Sequence, residues 1–185
     1  MASGDGAGMS YRPITDVWFL ARCKYKGGIK RYGGYLGGFP ERARALLAAT
    51  IDEPVLHVCG GLARLYPYRG GFGPNDKTLD LDPNCQPDFF QDARKELPPG
   101  FKAMLADPPY SPEDSGQYFP GLAQYPTPNQ ILKSMMAAIE PGRRIGIIGY
   151  GLPAQPKNSR FVACIDIHCG FNNRTRTFSV FERTP

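Results

Sequence analysis

Apolar positions in this chain fall into short runs broken by glycine, proline and acidic residues. Residues 55–59 form one such run, Val-Leu-His-Val-Cys, closed by Gly60 and Gly61. It is too short for a helix, and its near-continuous apolar character predicts a strand buried on both faces. "KTLDLDPN" predicts a second strand ended by Pro83, "PDFFQDA" a short third, "FKAMLADPPY" a fourth and "RRIGIIGYG" a fifth. "RFVACIDIHCG" and "RTRTFSVFERT" predict two final strands around the polar turn Phe171-Asn172-Asn173. Two stretches have helical period. "PERARALLAAT" opens on Pro40 and puts Ala43, Leu46 and Leu47 on one face. "TPNQILKSMMAAIEPG" has Thr127 as cap, Pro128 in its first turn, and Ile131, Leu132, Met135, Met136 and Ile139 as its apolar face. Residues 11–40 have no clean period, and three Gly-Gly pairs there read as a loop with ring anchors. Strands alternating with helices and then a closing hairpin predict an α/β sheet, mostly parallel, with an antiparallel edge. No internal repeat interrupts it.

Composition narrows the class. The 185 residues suit one ordinary domain, and 42% apolar content is that of a globular chain. Residues 1–10 are small and polar and read as a disordered tail, leaving 11–185 as a single domain. No apolar run has the length to cross a bilayer, and no signal-peptide core is present. The five cysteines, Cys23, Cys59, Cys85, Cys164 and Cys169, include no C-x-x-C pair. That argues against a disulfide framework or zinc knuckle and for a reducing compartment, with no metal expected.

Charge is uneven. Residues 11–44 hold eight Lys/Arg against two acids, while residues 45–185 balance to zero. The basic residues Arg12, Arg22, Lys24, Lys26, Lys30, Arg31, Arg42 and Arg44 are interleaved with Trp18, Phe19, Tyr25, Tyr32, Tyr35 and Phe39. Cations mixed with rings suit a phosphate backbone and stackable bases. A solvated basic surface with rings turned into the core fits the same pattern.

In an open parallel sheet, ligands bind beyond the carboxyl ends of the strands. Those ends carry Cys59-Gly60-Gly61, then Asp80-Leu81-Asp82, then Gln91-Asp92-Ala93, then Asp107-Pro108-Pro109-Tyr110. Glycines allow close backbone approach, and a carboxylate one strand over accepts both hydroxyls of a ribose. Asp80 is placed for this with Asp82 as alternate, and Asp92, beside Ala93, suits an adenine amino group. Each has a plainer reading: a turn at Gly60-Gly61, strand ends at Asp80 and Asp82, a cap at Asp92, and a rigid turn at Asp-Pro-Pro. His57 and His168 lie in apolar runs and read as core or near-core residues.

The ordered set "VLHVCGG", "LDLDP", "FQDA", "LADPPYS", a helix, "RRIGIIG" and a final hairpin resembles the class I S-adenosylmethionine-dependent methyltransferases over residues 40–182. "DPPY" is similar to the catalytic tetrapeptide of those that methylate exocyclic amino groups. The basic, ring-rich front most resembles small adenine-N6 DNA methyltransferases of bacteria and phages, although the F-x-G-x-G run of those enzymes is here Val58-Cys59-Gly60-Gly61. The resemblance implies a Rossmann-like sheet and a cytoplasmic enzyme using S-adenosylmethionine, held by Cys59, Gly60, Gly61, Asp80, Asp82, Asp92 and Ala93. It implies catalysis by Asp107, Pro108, Pro109 and Tyr110, with Tyr110 also a stacking face. Lys24, Lys26, Lys30, Arg31, Tyr110 and Ser111 would contact DNA or RNA, and Trp18, Tyr32 and Tyr35 would stack or pack the cofactor's edge. Arg64, Tyr66, Tyr68 and Arg69 would form a loop over the cofactor. With no separate recognition domain, a second copy or a recognition partner is a further expectation. A protein amino-group substrate and a non-catalytic cofactor-binding subunit are the competing readings.

Overall fold

The computed structural model describes residues 11–20, 39–64, 71–118, 125–169 and 175–185. Eight strands form one sheet in the order β1-β7-β8-β6-β5-β2-β3-β4. They are β1 (Ile14–Leu20), β2 (Val55–Val58), β3 (Lys77–Asp80), β4 (Phe89–Phe90), β5 (Ala103–Ala106), β6 (Arg144–Gly149), β7 (Ser159–Cys169) and β8 (Thr175–Arg183). Every pairing is parallel except the two made by β8, which runs antiparallel to both β6 and β7. The helices are α1 (Phe39–Leu46), α2 (Pro112–Tyr118) and α3 (Pro128–Ala138).

The near-continuous apolar strands are explained by cover on both faces. Alternate residues of β2 and β5 feed two separate cores. On one face Val55, Ala103 and Leu105 pack with Phe39, Ala43 and Leu47 from the α1 segment and with Phe178 and Val180 from β8. On the other, Leu56, Val58, Met104 and Ala106 pack with Ile131, Leu132, Met135 and Met136 of α3. Helix α3 starts on a full capping box: Thr127 Oγ1 accepts from Gln130 N, and the Gln130 side chain accepts from Thr127 N at 3.0 Å.

Three departures from the predicted elements have local causes. Residues 14–20 were expected in a loop but form β1, because their alternation is masked: Trp18 and Leu20 face the core while Val17 and Phe19 are apolar yet exposed. Trp18 is therefore not a stacking platform. It is 7% exposed and packs against Phe39 and Phe178. Helix α1 stops at Leu46, short of the predicted Thr50, and Ala48 turns at φ +53°. Arg44 then takes the carbonyls of Thr50 and Glu53. Helix α2 went unpredicted although Ser111 caps it, Pro112 opens it and Glu113 and Asp114 fill its first turn.

Chain order reverses between β2 and β5. From β2 the chain builds outward to β3 and β4, then crosses back to β5 and β6 on the other side. The crevice between the carboxyl ends of β2 and β5 is thus the topological switch point, where an α/β sheet receives ligands.

Candidate active site

At the carboxyl end of β2 the chain turns sharply. Cys59 has φ +52° and Gly61 φ +50°. A left-handed conformation at a cysteine costs about 1–2 kcal/mol, so the turn is held from outside. Gly60 N donates to Leu79 O at 3.1 Å, and Gly61 N donates to Asp80 Oδ2 at 2.8 Å. A Cβ at Gly60 would lie 2.8 Å from the His57 carbonyl and 3.2 Å from Thr78 Cγ2, so a side chain there would push the turn outward.

Asp80 ends β3 beside this turn. Its Oδ1 accepts from Asp82 N at 3.0 Å, and its Oδ2 from Gly61 N. Burial raises its pKa, against the lowering effect of these backbone donors. Leu81 N–H also faces this carboxylate and lowers its pKa. Asp82 is turned inward: its Oδ1 takes the backbone and side-chain nitrogens of Asn84 and caps a 3₁₀ turn over Pro83–Cys85. Of the two acids, Asp80 is the one at the edge. Asp92 caps no helix, since none lies between β4 and β5. It starts a turn closed by Lys95 N, and its carboxylate is gripped by Arg94, which lowers its pKa. Ala93 is buried. Sequence reasoning missed Phe90, the partner of Asp80 in the β3–β4 ladder and 64% exposed. An exposed ring at the end of a strand was its signal.

Cys59 sits among the carboxylates. Burial pushes its thiol well up, and the negative charges of Asp80, Asp107 and Asp92 add to this. A thiol held protonated is no nucleophile.

Asp107 follows the end of β5, its N–H bonded to Val58 O at 3.2 Å. The two strands flanking the switch point are thus tied together at the acid. Burial raises the Asp107 pKa. A hydrogen bond donated by Tyr110 Oη to Oδ1 and the charge of Arg176 oppose that rise. Pro108 is buried, and Pro109 and Tyr110 are half-buried. Ser111 spends its side chain on capping: Oγ accepts from Asp114 N at 3.1 Å. The ring of Tyr110 already has company. Its centroid is 4.9 Å from that of Tyr150, just past β6, and 4.7 Å from the Arg176 guanidinium carbon. Neither neighbour was picked out from the sequence, where "IIGYGL" and the start of β8 carry no special pattern.

A glycine turn, a carboxylate on the Gly61 N–H and a second, half-buried carboxylate thus flank the switch point. The architecture matches known proteins. The fold is methyltransferase-like. TrmN from Thermus thermophilus superposes with a TM-score of 0.56 at 17% identity over 82% of this chain, and the chain spans 50% of that protein. The candidate RNA methyltransferase PH1948 from Pyrococcus horikoshii gives 0.54 at 10% identity over 78% of this chain and 81% of that one. The candidate methyltransferase YhhF from Escherichia coli gives 0.52 at 11% identity over 88% and 98%. No family model matches the sequence, and a search of curated proteins finds no match.

Among the described residues no group of His, Cys, Asp and Glu is arranged to hold a metal, and no helix is long and apolar enough to cross a membrane. His57 is buried as expected, and His168 is half-buried with its ring on Phe19 at 5.3 Å. Arg64 pairs with Asp88. Lys24, Lys26, Lys30, Arg31, Tyr32 and Tyr35, together with Tyr66, Tyr68, Arg69 and the turn at Phe171-Asn172-Asn173, lie outside the described residues.

Proposed function

We propose that the protein transfers a methyl group from S-adenosylmethionine to an exocyclic amino group of a nucleobase in nucleic acid, with N6 of adenine in DNA as the first substrate to test. The observation that carries this reading is Asp107: a half-buried carboxylate just past the carboxyl end of β5, beside the switch point, followed by two prolines and a tyrosine that hydrogen-bonds it.

The residues fit the cofactor. Gly60 lets the turn lie close on His57 and Thr78, Asp80 has acceptor capacity for ribose hydroxyls, and the exposed ring of Phe90 beside it offers an adenine a stacking face. Bound S-adenosylmethionine supplies an electrophilic methyl group on a sulfonium. The chain's own task is to ready the nucleophile. An aromatic amino nitrogen is weakly nucleophilic because its lone pair is delocalised into the ring. Asp107 accepts one N–H and the Pro108 carbonyl, past the end of the β5 ladder, accepts the other. The nitrogen is drawn toward tetrahedral geometry and its lone pair is localised. The prolines fix both acceptors in advance, so little reorganisation remains at the moment of transfer. The ionised Asp107 also stabilises positive charge as it develops on that nitrogen.

The ribose assignment is tested by Asp80→Ala. Loss of the carboxylate acceptors for the ribose should weaken S-adenosylmethionine binding by roughly 1–3 kcal/mol, about fivefold to 150-fold in Kd by calorimetry. Wild-type affinity would remove Asp80 from the site.

Nucleic acid is favoured over a protein substrate by the basic segment. Strand β1 runs parallel to β7, so Leu20 lies at the same sheet edge as Asp107, and the chain enters the cationic stretch from that edge. Changing Lys24, Lys26, Lys30 and Arg31 together to alanine should weaken DNA binding and flatten its dependence on salt, since each lost phosphate contact removes a counterion-release contribution of slope about 0.9. Cofactor affinity should not change. Unaltered DNA affinity would make the segment a solvated face. RNA is the second reading, supported by the fold likeness to PH1948, a candidate RNA methyltransferase. Incubating the protein with labelled S-adenosylmethionine and, separately, duplex DNA, RNA and protein extract tests the function. Label in protein alone, or in none, would overturn it.

A further inference from the structure

Strand β8 runs antiparallel to both β6 and β7, so its first residues, and not its last, arrive at the edge where β5 and β6 end. Thr177 pairs with Gly149 at the last rung of β6, which sets Arg176 and Tyr150 side by side just beyond it. Both reach the same ring. The Arg176 guanidinium carbon lies 4.7 Å from the Tyr110 centroid, and the Tyr150 centroid is 4.9 Å away at 41°. Tyr110 in turn donates its hydroxyl to Asp107. Two segments distant in sequence thus converge on the phenol of a third and, through it, on one carboxylate.

We propose that Arg176 is a positioning residue of this site: it clamps the ring of Tyr110 from β8 and holds Asp107 as a charged acceptor, while Tyr150 forms the second wall against which a planar amino-bearing ring is received. The part played by the substrate ring rests on the function proposed above; the link from Arg176 to Asp107 does not. A planar cation over an aromatic face resists tilting of that ring. With its position fixed, Tyr110 keeps its hydroxyl on one carboxylate oxygen and leaves the other for an incoming N–H. The Tyr110 ring is thus engaged before any substrate arrives, and Tyr150, packed against it and 42% exposed, presents the solvent-facing ring of the pair.

The groups bearing on Asp107 act in two directions. Burial favours its neutral form. The Tyr110 hydroxyl and Arg176 favour the anion. From β2, Cys59 feels Asp107 together with Asp80 and Asp92 and stays protonated, so it adds no charge. Arg176 is therefore the cation whose removal should move the titration of Asp107 upward.

The experiment is a carbon-13 NMR titration of the aspartate carboxyls in the full chain without cofactor, with Asp107 assigned by its loss in Asp107→Asn. The variants are Arg176→Gln, which keeps a planar group without charge, and Arg176→Lys, which keeps charge without the fork. Arg176→Gln should move the Asp107 titration to higher pH, with Arg176→Lys close to wild type. No shift in Arg176→Gln, or an equal shift in both variants, would overturn the assignment. Activity is the second readout. The acid limb of the kcat profile should move up in Arg176→Gln and return in Arg176→Lys, with kcat/KM reduced roughly tenfold to a hundredfold in Arg176→Gln. If the wild type transfers no methyl group to DNA or RNA, the proposed function fails, while the titration still decides the role of Arg176.

Discussion

Replacing Asp107 by alanine is expected to reduce methyl transfer by roughly a hundredfold to a thousandfold, the range found when one preorganised polar contact to a developing charge is removed. S-adenosylmethionine affinity should stay close to wild type, because Asp107 is placed to face the amino group and the cofactor contacts are assigned to Gly60, Asp80 and Phe90. The loss belongs in kcat, since the acceptor matters most as positive charge grows on the nitrogen. The pH dependence follows from burial, which holds the Asp107 pKa above its ordinary value. The accepting form is the anion, so activity should fall on the acid side at a higher pH than a solvated aspartate would give. Asp107→Asn retains a carbonyl oxygen as acceptor but nothing to ionise. It should keep more activity than Asp107→Ala and lose that acid limb. Because the raised pKa means that folding disfavours the charge, stability is lost as pH rises through the folded value. Asp107→Asn should accordingly unfold at higher denaturant than wild type near neutral pH. Rates within a few-fold of wild type in Asp107→Ala would make Asp-Pro-Pro-Tyr a rigid turn and nothing more.

The sequence showed most of the strand ends and little of what joins them. Runs buried on both faces are legible because cover by helices leaves no polar alternation, as in Val55–Val58 and Ala103–Ala106. Their terminators were legible too, since Gly60, Asp80 and Asp107 are residues that stop strands. Three features lay out of reach. Strand β1 hides its period because Val17 and Phe19 are exposed on its outer face. Whether Asp92 faces a ligand or a neighbour turned on Arg94, two residues away, whose side chain reaches back to it. Arg176 and Tyr150 meet only because β8 runs antiparallel beside β6, a pairing of residues on either side of a 25-residue gap. Helix α2, by contrast, is signalled at its start by Ser111-Pro112-Glu113-Asp114, but its seven residues, with Gly116 among them, carry no apolar period.

Stability should depend most heavily on a buried charge cluster that the sequence did not reveal. Asp76 has no exposed side-chain surface and Arg44 has 6%. Arg44 Nη2 pairs with Asp76 Oδ2, and its other nitrogens take the carbonyls of Gly71, Thr50 and Glu53. Asp76 also accepts from Val55 N at 2.9 Å and Gly73 N at 2.8 Å, and contacts His57 Nε2 at 3.1 Å. The His57 ring stacks on Phe72. Helix α1, strand β2 and the segment leading into β3 are thus fastened at one carboxylate beneath the glycine turn. Burial alone would raise the Asp76 pKa, but the hydrogen bonds from His57 and Arg44 outweigh it and hold the group below its ordinary value. Its contribution is therefore present above the unfolded-state pKa, about 3.9, and lost as pH falls through the lower folded value. Burial also lowers the His57 pKa, so acid withdraws stability there as well, beginning near the ordinary histidine value of about 6.5. Asp76→Asn leaves the Arg44 cation buried without its counter-charge and should cost about 3–5 kcal/mol in urea unfolding followed by circular dichroism. The double variant Arg44→Met with Asp76→Asn removes both charges and should recover part of that loss, a coupling that two independent residues would not show. A loss below about 1 kcal/mol in Asp76→Asn, the value of a surface pair, would mean that the carboxylate charge does little for the fold and that packing of Phe72 and Leu47 fixes the turn instead.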